Sequence, residues 1–541
     1  MKQKIWLFLT LSLFLTSCQF IGHLSSPTQD SSSLSGKTSS SLSSSSDTVS
    51  SAISGSSSQE GSAFSSSVSG SSSGTSALPS SVTIYSLNDL HGSLRENEDG
   101  GELGVARLSY AIHHDADYDP STSLILCGGD SWQGGYLSYM DKSLTDKCLS
   151  DLGVEAMTIG NHEFDWGWQT IEAQSKVSPY PYLACNILDY SGNQATWCKP
   201  STEITKGGIK YGVVGAIGAD EASSIASGKM GDYSFSSSTT LVKNEVDKLY
   251  QDGCQIIVFL VHDAYDSTYT VSLGDTFSLE NDHVSGIFGG HSHQFNSEIV
   301  GNLPYVQGGS NSKGYCKMKF STKTGGLLAK SYVTASSTDF SVSDAALDSR
   351  ILNLIDTAVT QYQPDQVLAH FDQDFRRYYE LSKFIPTAMN SVVTKYGYTT
   401  TRTLLGLHNL SGIRSVIPAG DVTMDDLYKT SPFDNKIKII ENVRGSEISR
   451  VLGTVSDSNN TKYYAYATSD GTSFSTSTYY DVVTIDFVSE GYLASSISLK
   501  TQIDGGKNGA ELLIRDGLRY YFTYGGRAGD STFYAADYQV S

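Results

Sequence analysis

Positive charge is what this sequence has least of. Its 541 residues carry 37 lysines and arginines against 57 aspartates and glutamates, a formal net charge of −20. No basic stripe interrupts that acidity, so a DNA or RNA polymer is not an expected partner. An acidic chain still binds small phosphates where a bound cation supplies local positive charge. Cysteine is sparse as well. After Cys18 there remain Cys127, Cys148, Cys185, Cys198, Cys254 and Cys316, and no two of them form a Cys-x-x-Cys pair. That spacing argues against a structural zinc site. Cys127 and Cys254 lie in apolar surroundings and read as small core residues, whereas Cys185 and Cys198 stay open between a disulfide and two thiols. Long apolar runs are missing too. The longest, Ile5 to Leu15, is too short for a permanent membrane-spanning helix.

That run follows a charged start, Met1-Lys2-Gln3-Lys4, and leads into Leu15-Thr16-Ser17-Cys18. The tetrapeptide resembles a bacterial lipobox, which implies a signal peptide over 1–17, a lipid on Cys18 and a location on the outer face of the cell membrane. From residue 18 to about 80 serine dominates and apolar residues are few. Such a tract cannot bury enough surface to offset chain entropy, so a flexible tether is expected. The chain is long enough for two or three domains.

From Val82 the composition changes. Val82–Leu87 reads as a strand and runs into Asn88-Asp89-Leu90-His91-Gly92. A helix-like segment from Gly104 to His114 precedes Leu124-Ile125-Leu126-Cys127 and Gly128-Gly129-Asp130. Another, Leu144 to Leu152, precedes Ala156–Ile159 and the turn Gly160-Asn161-His162-Glu163-Phe164-Asp165. Thr240 to Gln251 leads to the apolar strand Gln255–Val261, which ends in His262, and Ile287-Phe288 precedes Gly289-Gly290-His291-Ser292-His293. Apolar strands alternating with helical segments predict an α/β core with largely parallel strands, whose carboxyl ends are the ligand-binding edge. Five polar clusters sit at those ends. They supply Asp89, His91, Asp130, Asn161, His162, His262, His291 and His293, a set of oxygen and imidazole donors without a thiolate that suits zinc, manganese or a similar divalent ion. His113, His114, His23 and His283 match no cluster, and Asp263 and Asp266 read as loop-capping carboxylates.

Together these five clusters resemble the calcineurin-like metallophosphatase signature, and the form Gly-Asn-His-Glu-Phe-Asp resembles the exported 5′-nucleotidase / UDP-sugar hydrolase family. The resemblance implies a metallophosphoesterase sandwich holding two divalent ions, with Asp89, His91, Asp130 and His293 at one and Asp130, Asn161, His262 and His291 at the other. His293 stands where some relatives have glutamine, and Ala264 where relatives commonly have glycine. The resemblance also makes His162 and Asp165 a dyad beside the ions. Two ions about 3.5–4 Å apart hold the attacking and leaving oxygens of an in-line phosphoryl displacement. His162, oriented by Asp165, would stabilise the transferring phosphoryl and protonate the leaving oxygen.

The second half continues the resemblance more loosely. Residues 344–363 have helical spacing of Ala, Leu and Ile, without glycine or proline, and predict a linking helix. Leu404–Arg414 and Ser431-Pro432-Phe433-Asp434-Asn435 resemble motifs of the family's substrate domain, implying that Asn409 and Arg414 contact a nucleotide and Phe433 stacks on its base. A second stacking aromatic would be Phe522 or Tyr521, and Asp530 would take the ribose contact. Two departures stand out. Leu381-Ser382-Lys383 occupies the place of the family's Leu-Gly-Asn turn, and Gly525-Gly526-Arg527-Ala528-Gly529-Asp530 that of a Gly-Gly-Asp-Gly motif. The expected architecture is a signal peptide (1–17), a tether (18–80), a metallophosphoesterase domain (81–340), a linking helix (341–363) and a smaller α+β substrate domain (364–541). The expected function is a monomeric, lipid-anchored phosphoesterase acting on 5′-nucleotides. The alternatives are a UDP-sugar, 2′,3′-cyclic nucleotide or NAD hydrolase, or a non-catalytic nucleotide-binding or adhesion lipoprotein.

Overall fold

The computed structural model describes residues 78–226, 228–453, 464–491, 493, 497 and 500–539. The signal segment 1–17, Cys18, His23 and the tether up to residue 77 lie outside the described residues.

Two six-stranded sheets face each other in the N-terminal half. The first has the order Leu327–Thr334, Gly314–Ser321, Ser81–Leu87, Leu124–Cys127, Val154–Thr158, Tyr182–Leu183. The second has the order Phe295–Val300, Leu303–Gly308, Val284–Gly289, Ile256–His262, Ile209–Ile217, Ser201–Lys206. The central strands of both run parallel. Ile256–His262 shows why. It is apolar on both faces up to its last residue, and such a strand is stable only where both faces are covered. Ile256, Val258 and Leu260 pack between the sheets with Ile84, Leu126 and Ala156. Ile257, Phe259 and Val261 pack outward against Val242, Val246 and Leu273 of the helices Thr239–Gln251 and Thr268–Thr276. Side chains alternate along a strand, so His262 falls on the inner side, between the sheets. The outer face of the first sheet is covered in the same way. Tyr85, Leu87, Ile125 and Met157 pack with Leu108 and Ile112 of the helix Gly104–His113 and Leu149 and Leu152 of the helix Leu144–Leu152. The result is a helix–sheet–sheet–helix sandwich.

The helix Ser349–Tyr362 buries Ile351, Ile355 and Ala358, one face of a 3.6-residue period, in that same outer core. It starts at Ser349 rather than at 341 because Asp348 caps it, accepting the Arg350 amide at 2.9 Å. Before it, Ser337–Phe340 and Asp344–Ala346 are separate short turns. Beyond it, a five-stranded sheet runs Tyr464–Thr468, Thr403–Asn409, Tyr479–Ile485, Ile437–Arg444, Gln502–Asp504, beside a three-stranded one of Gly420–Thr423, Val367–Phe371 and Thr532–Phe533. The helix Glu380–Lys395 lies across the larger sheet. A Cβ on Gly406 would sit 2.3 Å from the Pro386 carbonyl oxygen, so the glycine is what lets that helix approach. The fold is thus the expected α/β sandwich followed by an α+β domain. All six described cysteines are buried free thiols, so Cys185 and Cys198 are not bridged. Among the described residues no helix is long and apolar enough to cross a membrane.

Candidate functional site

The carboxyl ends of the central strands deliver the predicted ligands to one edge, where they fall into two groups. Asp89, His91 and His293 form the first, and Asp130, His262 and His291 the second, with ligand atoms inside each group no more than 4.8 Å apart. The Asn161 carbonyl oxygen joins the second group, 3.2 Å from His262 Nε2 and 3.0 Å from His291 Nδ1. Each group draws on both sheets. Asp89, His91 and Asp130 come from the first sheet, and His262, His291 and His293 from the second.

The backbone is bent to achieve this. Asp89, His91, Asp130, His291 and His293 have φ of 50, 49, 53, 68 and 59°, a left-handed conformation that costs an ordinary residue roughly 1–2 kcal/mol. Such strain persists where surrounding bonds over-determine it. The Asp89 and His91 amides donate to the Gly129 and Asp130 carbonyls at 3.0 Å each, and the His291 amide donates to both Asp89 carboxylate oxygens, at 3.1 and 2.9 Å. Glu163 ties the turns together. Its carboxylate accepts the amides of Asp130, Ser131 and Gly160 at 2.8, 2.7 and 2.8 Å. Gly160 must be glycine here, since a Cβ would lie 2.2 Å from Asp130 Oδ1.

The donor chemistry fits divalent ions. His91 Nδ1 donates to the Gln133 carbonyl at 3.0 Å, which leaves Nε2 as a lone pair facing His293 Nε2 at 2.9 Å. His262 Nδ1 donates to the Gly128 carbonyl at 2.8 Å, so its Nε2 faces Asp130 Oδ2 at 3.1 Å. Asp130 Oδ2 is buried without a hydrogen-bond partner. Each contact is satisfied either by a proton on one partner or by a metal ion between the two. A proton is the alternative cation: burial disfavours a charged His262, but Asp130 and Asp89 outweigh it and raise its pKa well above the ordinary value. The other three ligand imidazoles, His91, His291 and His293, are shifted toward the neutral form. Burial, with His293 next, holds His91 well below the ordinary value, and burial with neighbouring cationic groups brings His291 and His293 each down to about 3. Neutral imidazoles are what metal ligation needs.

Beside the groups, His162 Nδ1 meets Asp165 Oδ2 at 2.8 Å, so Nδ1 carries the donated proton and Nε2 is left for other chemistry. Burial disfavours a charged His162, yet Asp165 and Asp130 together raise its pKa. From the C-terminal domain, the Phe433 ring comes within 5.7 Å of the His162 ring, and the Arg414 guanidinium lies 5.9 Å from the Phe433 ring centre. Arg414 is half-buried and close enough to lower the pKa of His91, His291 and His293. Among the described residues no carboxylate lies within ion-pairing distance of it. Asn409 is buried, with its amide nitrogen on the Ser411 hydroxyl at 2.9 Å and its carbonyl oxygen without a partner.

Two predicted substrate residues are elsewhere. Phe522 is 0 % exposed among the rings of Phe371, Phe384 and Phe533, so it is a core residue and has no face to offer a base. Tyr521 is buried beside it, with its hydroxyl on that of Tyr538 at 3.1 Å. Asp530 is exposed and accepts the Thr532 amide at 2.9 Å within its own turn. Asp263 accepts the Ser267 and Thr270 hydroxyls beside the start of the helix Thr268–Thr276, whose N-cap is Ser267.

Three residues were missed by sequence reasoning. Arg515, 1 % exposed, donates to the carbonyls of Ser431, Pro432 and Phe433 at 3.2, 2.7 and 3.2 Å and pairs with Asp434. Its guanidinium also packs on the rings of Tyr139 at 4.6 Å and Tyr428 at 4.2 Å, which fixes the loop carrying Phe433. Arg377 donates to the Arg414 carbonyl at 3.0 Å. Glu221 stands 3.2 Å from His291 Nδ1, and burial pushes its carboxyl up to about 7. No motif marks any of the three, although an arginine inside the apolar period of the helix Ile514–Phe522 was a visible signal.

This fold brings together two neighbouring groups of side chains that could each hold a metal ion. The calcineurin-like phosphoesterase family model matches residues 82–295, and the 5′-nucleotidase C-terminal domain model matches residues 333–481. The chain belongs to the calcineurin-like phosphoesterase family, in the form that carries a 5′-nucleotidase C-terminal domain. It is 23% identical over 403 residues to the endonuclease YhcR of Bacillus subtilis, covering 69% of this chain and 32% of that one. It is 25% identical over 422 residues to protein UshA of Yersinia enterocolitica, covering 70% and 76%. The chain thus spans about a third of the first relative and three quarters of the second. The crystal structure of a 5′-nucleotidase precursor from Thermus thermophilus superposes over 84% of this chain and 99% of that one, with a TM-score of 0.64 at 19% identity, a likeness of fold.

Proposed function

We propose that this chain hydrolyses 5′-nucleotides to nucleoside and phosphate. The observation that carries the reading is the meeting of the His162–Asp165 pair, beside both ligand groups, with Phe433 and Arg414 of the C-terminal domain. Bound at the two groups, divalent ions (zinc or manganese) supply Lewis acidity toward phosphoryl oxygens and lower the pKa of water. Arg414, a planar cation without an ion-pair partner, binds the phosphoryl group. His162, with its Nδ1–H held by Asp165 and its pKa raised by Asp165 and Asp130 against burial, takes a second proton at Nε2 and gives it to the departing ester oxygen. Phe433 stacks on the base, and the unpartnered Asn409 carbonyl oxygen accepts a hydrogen bond from the nucleotide. No covalent intermediate with the protein is required.

A second reading within the same chemistry is supported by the late loop. Asp530 is engaged in its own turn and Phe522 in the core, so the distal part of the substrate is held differently from what the motifs imply. That favours testing a nucleoside diphosphate sugar, NAD and a 2′,3′-cyclic nucleotide beside the 5′-monophosphates. Leu15-Thr16-Ser17-Cys18 supports a protein lipid-anchored on the outer face of the cell membrane. Palmitate labelling of the wild type and of Cys18→Ser tests it, with label expected only on the former.

The activity is tested by phosphate release from AMP, UMP, UDP-glucose, NAD and 2′,3′-cyclic AMP, with manganese or zinc and again with a chelator. Chelator-sensitive release from a 5′-monophosphate is the expected result. Turnover of another ester alone moves the substrate. Silence on every substrate, with two ions bound, replaces catalysis by nucleotide binding.

A further inference from the structure

The second ligand group has a carboxylate beside it that the strand-end motifs do not provide. Glu221 lies on the 3-10 helix Ala219–Ser224, directly after the strand Ile209–Ile217, which neighbours Ile256–His262 in the second sheet. Its side chain is 10% exposed, and Oε2 stands 3.2 Å from His291 Nδ1. The Asn161 carbonyl oxygen approaches that same nitrogen to 3.0 Å. The other contact of Glu221 Oε2 is the Ser224 hydroxyl at 3.3 Å, a long hydrogen bond.

His291 Nδ1 either donates a proton to Glu221 or gives its lone pair to an ion. It cannot do both. Once the lone pair is given, Glu221 is a buried carboxylate with one weak donor, facing the ion from the His291 side. Asp130 Oδ2, buried and without a hydrogen-bond partner, faces the same space from the opposite sheet. With Asp130 as the sole carboxylate, the group offers one negative charge to a divalent ion. With Glu221 it offers two, and burial of an uncompensated charge is costly. Glu221 lies outside the tight cluster of Asp130, His262 and His291, so it closes on the ion by side-chain rotation.

We propose that Glu221 is a fifth protein ligand of the second ion. Three oxygens (Asp130, Asn161, Glu221) and two imidazoles (His262, His291) make a five-donor set. Such a set suits a six-coordinate ion such as manganese better than tetrahedral zinc. The assignment rests on the two-ion reading of the centre and is independent of the substrate.

The test strips the full chain with a chelator and titrates it with Mn(II). Bound metal per chain is followed by equilibrium dialysis, and pairing of the ions by the exchange-coupled dinuclear EPR signal. The wild type is expected to bind two ions. Glu221→Gln is expected to keep the first binding step, weaken the second about 10- to 100-fold and lose the coupled signal at metal concentrations that suffice for the wild type. Glu221→Asp, which keeps the charge but shortens the reach, is expected to weaken the same step to a smaller degree and guards against a folding failure of the first variant. Both steps and the coupled signal at wild-type concentrations in Glu221→Gln, with an unchanged circular dichroism spectrum, overturn the assignment. A wild type that binds fewer than two ions overturns the two-ion reading and this assignment with it.

Discussion

On the N-terminal side of the site every predicted ligand lies within four residues of a strand end. On the C-terminal side Phe433 is held by Arg515, 82 residues away along the chain. The first side is built by local turns whose amides and carbonyls lock one another. The second is built by packing across distant segments, with one buried guanidinium filling three carbonyls. A motif can encode the first kind of construction, because strand, glycine and ligand are neighbours in sequence. It cannot encode the second. In the proposed function chemistry and recognition divide along the same line, with strained, bond-locked ligands at the charged centre and a clamped loop and a ring toward the substrate.

Substitutions can sharpen that contrast. The largest effect is expected from His162→Ala, which should lower phosphate release about 10²- to 10⁴-fold while both ions stay bound. Metal analysis of the purified variant checks the separation, and a metal-free variant would merge the two roles. Phe522→Ala comes next. A cavity among Phe371, Phe384 and Phe533 should cost about 3–5 kcal/mol in urea unfolding, with KM preserved in whatever fraction stays folded. A raised KM at unchanged stability would return Phe522 to the substrate. Phe433→Ala should do the reverse, raising KM by the roughly 1–3 kcal/mol of a base–aromatic stack with little change in kcat or unfolding. The smallest effect concerns Asp481, fully buried in the C-terminal sheet. Burial raises its pKa, but the Asn442 amide at 2.8 Å, the Tyr398 hydroxyl at 3.0 Å and Arg402 at 3.1 Å outweigh it and hold the carboxyl low. A folded pKa below the unfolded one means stability present above about pH 4 and lost as pH falls through the folded value. Asp481→Asn should therefore be less stable than wild type at pH 7, and the gap should narrow in unfolding curves at pH 3.

Much of the centre was legible because five clusters recur after apolar strands, and the parity of Ile256–His262 even gives the side on which His262 lies. The sequence did not reveal that Asp89, His91, Asp130, His291 and His293 sit at positive φ, since no glycine marks those positions. Phe522 shows the limit most plainly. Its place in a helix with Arg515, Leu518 and Tyr521 is compatible with either a binding face or a core face, and only the packing of Phe371 and Phe533 against it decides. Glu221 follows a strand as the ligands do, but Ala219-Asp220-Glu221 matches no cluster, so its approach to His291 depends on a neighbour in the sheet.

Each ligand group takes residues from both sheets of the sandwich. An ion in either group is therefore a rivet through the two layers at one edge, and the sheets cannot slide or splay there without first releasing it. Both the stability and the rate of unfolding should then follow the metal supply of the surroundings. The working life of each molecule would then be set by the same ions proposed for its chemistry.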